Sequence, residues 1–142
     1  MRSRILVVAA LIVLVMSFVS CSGSALMINI DVSCDQFEQR SPDLENEFDI
    51  EVGDKIKAKL CANPTTGYSW DYVLPDESVM KFESHEYMGP DTDLVGASGT
   101  DVWIFKAVKA GEAVIKMEYS RPWENGTETE RTYTMDVTVL NR

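Results

Sequence analysis

Apolar and polar residues alternate along most of this chain with the two-residue period of half-buried β-strands. The alternation is most regular near the C-terminus, where Tyr133, Met135 and Val137 are separated by polar residues. Residues 102–105 are continuously apolar, which is typical of a central strand buried on both faces. The segments predicted to be strands are residues 27–32, 48–52, 56–60, 70–74, 79–87, 102–105, 113–119 and 133–139.

Seven to eight short strands separated by turn residues predict an all-β fold, an antiparallel β-sandwich of immunoglobulin-like architecture. Downstream of the N-terminal apolar run, no segment of more than about ten residues shows a helical period. The polar residues 35–46, which include Pro42, are predicted to be a connection or a loose edge. Three aromatic residues are predicted to lie in the core, namely Trp70, Trp103 and Phe105.

The N-terminal residues are expected to be an export signal. Arg2 and Arg4 precede an apolar run over residues 5–19. As a helix, this run would span roughly 22 Å, whereas a bilayer core is about 30 Å thick. The residues that end at Cys21 resemble the lipobox of a bacterial or archaeal lipoprotein signal. An ordinarily cleaved signal and a retained membrane anchor are the alternatives.

The signal divides the chain into three parts. We expect residues 1–20 to be a lipoprotein signal peptide and Cys21 to be lipidated. Residues 21–26 would then be a linker, and residues 27–142 would form one domain, because about 120 residues are enough for one core and too few for two. The protein would be extracytoplasmic, either held at a membrane through its lipid anchor only or secreted.

The charge and the cysteines of the chain argue against nucleic-acid binding and for a disulfide. The chain has 23 acidic and 13 basic residues, and its net formal charge is −10. Such a balance repels phosphate backbones, so nucleic-acid binding is not expected. Outside the signal only Cys34 and Cys61 remain. In an exported chain two cysteines are more often paired than free, so we expect a disulfide, with two separate thiols as the alternative.

The residue inventory argues against an enzyme and against a cofactor. His85 is the only histidine, which leaves little room for a Cys–His catalytic pair, and the sequence shows no nucleophile–base spacing and no metal-ligand cluster. The acidic residues Asp91, Asp93 and Asp101 could hold calcium or could form a solvated loop. Asn125-Gly126-Thr127 matches a glycosylation sequon, and its Asn-Gly pair is also a good turn.

Three segments between predicted strands have a composition that favours binding to a partner. They are rich in Gly, Pro and Thr, and such rigid loops lose little conformational entropy when they bind a partner. A Trp in one of them supplies a large anchor. The residues are Asn63, Pro64, Thr65, Thr66, Gly67 and Tyr68 in the first segment, Leu94, Val95, Gly96, Ala97, Ser98 and Gly99 in the second, and Arg121, Pro122 and Trp123 in the third.

The order, composition and spacing of these segments resemble the chagasin-type family of cysteine peptidase inhibitors, over about residues 48–140. The resemblance implies an immunoglobulin-like sandwich whose three loops at one end form a wedge in the active-site cleft of papain-like peptidases. It places Thr65 and Thr66 at the catalytic centre, residues 96–99 along the cleft wall and Trp123 on the prime side. The family usually has Gly-Gly where this chain has Ser98-Gly99, and a positive φ at Ser98 would cost about 1 kcal/mol.

We therefore expect a monomeric, reversible inhibitor of papain-like cysteine peptidases, with all three segments contacting the enzyme. The alternative is an extracellular adhesion or carbohydrate-binding sandwich, in which Trp123 and Tyr68 would form a platform for a sugar ring. The Thr-Thr pair and the Gly-rich segment favour the inhibitor, because a sugar platform does not need them.

Overall fold

The computed structural model describes residues 23–39, 41–124 and 129–142, which form two four-stranded β-sheets packed face to face. A short 3₁₀ turn at Pro64–Thr66 lies between two of the strands. The other elements, in chain order, are β1 (Met27–Val32), α1 (Cys34–Gln39), β2 (Asp43–Glu51), β3 (Lys55–Ala62), β4 (Ser69–Val73), β5 (Met80–Met88), β6 (Gly99–Ala107), β7 (Gly111–Ser120) and β8 (Arg131–Leu140).

The first sheet has the strand order β1-β3-β6-β5, and the second sheet has the order β2-β8-β7-β4. The predicted β-sandwich is confirmed, as is the strand predicted over residues 79–87. Four strand pairs are antiparallel, but β1 joins β3 and β2 joins β8 in parallel. Parallel partners need a long crossover connection. Here the chain crosses from the edge of one sheet to the edge of the other through α1, so that each of these strands meets a partner that runs in the same direction.

The alternation of the strands places one apolar face of each sheet in a common core. Trp70, Trp103 and Phe105 are buried there, as predicted. The indole N–H of Trp70 donates a hydrogen bond of 2.9 Å to the Cys61 carbonyl oxygen, so the polar atom of this large side chain is satisfied. The largest fully buried side chains are those of Tyr133, Phe105, Ile56, Leu60, Met80, Ile115, Met117 and Met135.

The region predicted as a connection or loose edge, residues 35–46, is more ordered than its sequence suggested. It contains α1 and the first part of β2, which begins at Asp43 and not near Phe48. Phe37 is buried, with its ring 5.6 Å from that of Trp70, so one apolar contact holds the short helix against the sheets. β2 pairs with β8 along its whole length, and this pairing outweighs the polar composition of the strand.

The strand register brings the three predicted segments to one end of the sandwich, called here the loop end. L1 (residues 63–68) joins β3 to β4, L2 (residues 89–98) joins β5 to β6, and L3 (residues 121–130) joins β7 to β8. The end of β3 pairs with the start of β6, and the end of β7 pairs with the start of both β4 and β8. The opposite end, with the turns at residues 52–54 and 108–110, is called the base end.

Several sequence predictions lie outside the described residues, namely the signal over residues 1–20, the lipidation site Cys21 and the sequon at Asn125. Among residues 23–39, 41–124 and 129–142, no helix has the length and hydrophobicity needed to cross a bilayer.

Candidate functional site

L1 is a closed turn that its own side chains hold in shape. Pro64 begins the 3₁₀ turn, and Gly67 ends it in the left-handed region at φ +85°, where its N–H donates to the Pro64 carbonyl oxygen over 3.0 Å. The Thr65 hydroxyl donates to the Asn63 side-chain oxygen (2.6 Å), and the Thr66 hydroxyl donates to the Asn63 carbonyl oxygen (2.7 Å). Both threonine protons are therefore used inside the loop, and the hydroxyl oxygens keep only their acceptor capacity.

Asn63 also fixes L1 to its neighbours. Its side-chain amide donates a 2.9 Å hydrogen bond to the Gly96 carbonyl oxygen in L2. Its backbone N–H donates to the phenolic oxygen of Tyr119, at the end of β7, over 3.0 Å. One asparagine thus ties the first loop to the second loop and to the strand that leads into the third.

L3 reaches L1 through Trp123. The six-membered ring of this indole lies against Gly67, and a Cβ atom added to Gly67 would stand only 2.5 Å from Trp123 Cζ2. Glycine is therefore required at position 67 for two reasons. The φ angle is positive, and the indole ring leaves no room for a Cβ atom. The indole still exposes 63% of its surface, so it is placed by L1 but is not buried by it.

Arg121 and Tyr68 form a second contact between L3 and L1. The Arg121 guanidinium carbon lies 4.4 Å from the centre of the Tyr68 ring, and Tyr68 stacks on Tyr119 at 5.3 Å. The hydrogen bond to the Glu130 carboxylate raises the pKa of the Tyr68 phenol. At neutral pH Tyr68 thus stays a neutral donor, which suits its position between a guanidinium and a carboxylate.

The tips of L2 and L3 present large apolar side chains to solvent. Leu94 exposes 74% and Val95 essentially all of its surface, and Trp123 is exposed as noted above. Leu94 and Val95 occupy a turn closed by the Ala97 N–H, which donates to the Leu94 carbonyl oxygen over 3.2 Å. Gly96, in the same turn, has a φ of +82°. Exposed apolar residues gathered on adjacent loops are typical of a surface that binds another protein.

Ser98 does not have the positive φ that would strain it. Among the described residues, every positive φ belongs to a glycine, so the left-handed position of L2 is Gly96 and not Ser98. Gly99 is required for another reason, because a Cβ atom there would collide with the Met88 carbonyl oxygen and with the Tyr87 hydroxyl. Of the two glycines that the family usually has at positions 98 and 99, this chain therefore keeps Gly99, the one that close packing requires.

Cys34 and Cys61 are joined by a disulfide, with their Cα atoms 5.2 Å apart. It connects the first residue of α1 to β3 two residues before L1. The described part of the chain therefore has no free thiol near the loops.

The other sequence candidates do not form a site. Within the residues that the structure describes, no group of three or more His, Cys, Asp or Glu side chains has a metal-binding arrangement. Asp91 and Asp93 are exposed in L2, whereas Asp101 is buried in β6 and lies 2.7 Å from His85 Nε2. His85, in β5, also stacks on Trp103 of β6, with the ring centres 3.9 Å apart. The single histidine is therefore part of the paired strands of the β5–β6 hairpin.

Sequence reasoning missed two supporting residues, Tyr119 and Glu130. Tyr119 appeared only as one of the alternating apolar residues of β7, and Glu130 as one of many acidic residues. Their positions were the available signal, because Tyr119 lies two residues before L3 and Glu130 is the last residue of L3, so that a polar group at either position can reach the neighbouring loops.

Comparison with known proteins agrees with this arrangement. The chagasin family peptidase inhibitor I42 profile matches residues 49–137. Chagasin from Trypanosoma cruzi is 31% identical over 91 residues, which cover 61% of this chain and 82% of chagasin. The match includes L1, L2 and the described residues of L3.

Solved structures show the same fold. The cysteine protease inhibitor EhICP2 from Entamoeba histolytica aligns with a TM-score of 0.68 and 26% identity, over 83% of this chain and 99% of that one. PbICP-C, solved in complex with falcipain-2, aligns with a TM-score of 0.54 and 15% identity, over 83% of this chain and all of that one. The family match spans more than half of the chain and includes the loops described above, and this chain therefore belongs to the chagasin family of peptidase inhibitors.

Proposed function

We propose that this protein is a reversible inhibitor of papain-like cysteine peptidases and that L1, L2 and L3 enter the active-site cleft together. The observation that carries the proposal is the linkage of the three loops. Asn63 joins L1 to L2, Trp123 lies against Gly67 of L1, and Arg121 covers Tyr68. A peptidase cleft is concave, and three adjacent loops fixed to one another at the end of a sandwich give the convex edge that fills it.

Preorganisation of the loops would favour binding in this proposal. Loops already held in their bound shape lose little conformational entropy on association. L1 is stiffened by Pro64, by the turn at Gly67 and by both threonine hydroxyls. Because those hydroxyls donate inward, Thr65 and Thr66 offer methyl groups and acceptor oxygens to the enzyme. Trp123, Leu94 and Val95 supply the apolar contact area.

The inhibition is steric in this proposal. The described loops contain no thiol, and Cys34 and Cys61 are bonded to each other. Chemistry with the catalytic thiol of the peptidase is therefore not needed, and the protein dissociates unchanged.

A titration of papain with this protein tests the proposal. We expect competitive inhibition of papain and none of a serine peptidase such as trypsin. Papain whose catalytic thiol carries a methyl group should still bind the protein, although less tightly. Failure to inhibit papain would contradict the function, whereas a disulfide-linked complex on a non-reducing gel would contradict only the steric mechanism.

The sugar-platform alternative loses its main support in the structure. Tyr68 is covered by Arg121 and stacks on Tyr119, and Trp123 packs on Gly67. The two rings are therefore engaged in separate contacts within the protein and do not form a shared open platform.

We further propose that the protein is monomeric and is held at a membrane through lipid on Cys21. The position of Gly23 supports this arrangement. Arg142 donates hydrogen bonds to the Gly23 and Ser24 carbonyl oxygens, so the chain leaves the domain at the base end, opposite the inhibitory loops. A tether there would attach the protein at the end opposite the loops. Mass spectrometry of the mature N-terminus, together with fractionation of a Cys21→Ala variant, tests the anchor. An unmodified N-terminus downstream of Cys21 would contradict it.

A further inference from the structure

Five lysines share the outer face of the first sheet. β3 alternates strictly, so that Ile56, Ala58 and Leu60 are fully buried and the residues between them point away from the core. The strand register places side chains of β5 and β6 on the same outer face. The lysines on this face are Lys55, Lys57, Lys59, Lys81 and Lys106.

Three of these lysines face one another in a row across neighbouring strands. Lys106 pairs with Lys55 on one side and with Lys81 on the other, in the register nearest the base end. Like charges directly opposite each other in a sheet are destabilising. Glu83 compensates Lys55, with its carboxylate 2.6 Å from the ammonium nitrogen. In the described part of the chain, neither Lys81 nor Lys106 lies within ion-pair distance of a carboxylate.

The rest of this face is suited to a flat, amphipathic contact. Its centre is apolar, because Val102 and Ile104 lie opposite Lys59 and Lys57. The exposed side chains of Met27 and Met88 lie on two of its margins, in register with Lys55 and Thr100. Lysines around an apolar patch can lay their carbon chains along it and extend their charges outward. Three carboxylates also lie on the face, those of Asp31, Glu83 and Glu86.

The outer face of the second sheet has the opposite charge. It carries one lysine, Lys116, and nine carboxylates. The protein is thus acidic overall but electrically polar across the sandwich, with its lysines collected on one side. The acidic residues of the second face are Asp43, Glu45, Glu47, Asp49, Glu51, Asp71, Glu112, Glu118 and Asp136.

The described part of the chain begins beside the lysine row. The Leu26 carbonyl oxygen accepts a hydrogen bond from the Lys55 N–H, and β1 starts immediately afterwards, at the edge of the first sheet. Gly23 is held near this point by Arg142. Two extended residues reach at most about 7 Å, so a lipid on Cys21 would lie close to the lysines.

We propose that the lysine face of the first sheet rests on an anionic lipid surface. Negative headgroups would stabilise Lys81 and Lys106, the two lysines of the row that pair with no carboxylate of the described residues, and the acidic face would point away from the membrane. The loop end would remain free, since the row lies at the base end. The proposal draws on the proposed anchor for the location of the membrane, and it is independent of peptidase inhibition.

Amine labelling on vesicles tests this contact. The full chain, as cells process it, is reconstituted with phosphatidylcholine vesicles that contain or lack phosphatidylglycerol, and the labelling rate of each lysine is read by mass spectrometry. We expect Lys57, Lys81 and Lys106 to react roughly fivefold more slowly on the anionic vesicles. Lys109 and Lys116, outside the face, should react equally on both, and molar salt should remove the protection.

A pair of charge-matched variants gives the control. Lys81→Gln/Lys106→Gln removes two charges from the face, and Lys109→Gln/Lys116→Gln removes two from elsewhere. Only the first should lose protection at Lys57, and both should inhibit papain as the unmodified chain does. If the protein sediments with the anionic vesicles but not with the neutral ones, it has no lipid anchor. The labelling of the lysines on the anionic vesicles still tests the proposed contact in that case.

Two results would overturn the lipid contact. Equal labelling of the five lysines on both kinds of vesicle would show that the face does not touch lipid. Protection that appears without vesicles and grows with protein concentration would show that the acidic face of a second copy covers the lysines instead.

Discussion

The loop end and the base end of the sandwich close the same eight strands in opposite ways. At the loop end, Trp123, Leu94 and Val95 are mostly exposed, and the loops are joined by a few hydrogen bonds and ring contacts. At the base end, Asp54 exposes only 2% of its surface. Its carboxylate accepts hydrogen bonds from the backbone N–H groups of Leu26 and Glu51 and from the Arg142 guanidinium.

This difference between the two ends assigns stability to the base end and binding to the loop end. A buried, fully hydrogen-bonded carboxylate at the base end holds together the start of β1, the β2–β3 turn and the C-terminus. That network leaves the loop end free to carry exposed apolar residues that contribute little to folding. Changes at the base end should therefore alter the free energy of unfolding, and changes at the loop end should alter the inhibition constant.

The largest effect is expected from the Cys34–Cys61 disulfide. This bond lies beside the loops, but like the base end it should contribute to stability and not to binding. The Cys34–Cys61 disulfide links residues 27 positions apart. Its loss in Cys34→Ser/Cys61→Ser should lower the free energy of unfolding by about 3 kcal/mol, because the unfolded chain regains its freedom. Denaturant unfolding measures this loss. Inhibition of papain should be unchanged at temperatures where the variant is folded, and a large rise in the inhibition constant there would show that the bond shapes L1.

Trp123→Ala should give the largest effect on binding. The indole is placed on Gly67 but is mostly exposed, as expected of an interface anchor. We expect a loss of about 2 kcal/mol in binding, or roughly 30-fold in the inhibition constant, with the melting temperature unchanged. Val114→Ala, at an exposed apolar residue on the second sheet, is the control and should change neither quantity.

Asp54→Asn should show the reverse behaviour. Removing the charge weakens the buried hydrogen bonds and should cost about 2 kcal/mol of stability, with inhibition unchanged. Asp49→Asn, at an exposed carboxylate of β2, serves as the control. A weaker inhibitor with normal stability would mean that the base end communicates with the loops.

The same carboxylate predicts a pH dependence. The backbone hydrogen bonds from Leu26 and Glu51, followed by the charge of Arg142, lower the pKa of Asp54 from its ordinary value of 3.8. A lowered pKa in the folded state stabilises the protein above the pKa of the unfolded state, and this contribution is lost as the pH falls through the folded value. Unfolding measured from pH 6 to pH 2 should show this loss in the unmodified chain and a smaller loss in Asp54→Asn.

The smallest effects come from two glycines of the loop end. Gly67 and Gly96 have nearly equal φ values, +85° and +82°, so alanine should strain each by about 1 kcal/mol. A Cβ atom at Gly96 meets nothing within 4 Å, whereas one at Gly67 would displace Trp123. Gly67→Ala should therefore weaken inhibition several-fold more than Gly96→Ala. Equal inhibition constants would show that the contact between Trp123 and Gly67 does not position the indole.

Much of the fold could be predicted from the sequence because its causes are local. The alternation in β8 follows from one buried face, and Pro64 and Gly67 of L1 are residues that interrupt strands. The segments Asn63–Tyr68 and Arg121–Trp123 could be identified as loops from their composition, which also favoured a role in binding. The order of these segments then indicated the family, which the comparison with chagasin confirmed.

Other features were decided only by the tertiary structure, because they depend on partners distant in the chain. β2 is a full strand because β8 lies beside it, although its own residues are mostly charged. The Asn63–Gly96 bond joins residues 33 positions apart, and the Asp54–Arg142 contact joins residues 88 positions apart. No local pattern encodes such pairs. The sequence by itself determined most of the strands and the three loops of the loop end. Strand register determined which loops meet and which charges share a face, since register fixes neighbours across strands that the chain order keeps apart.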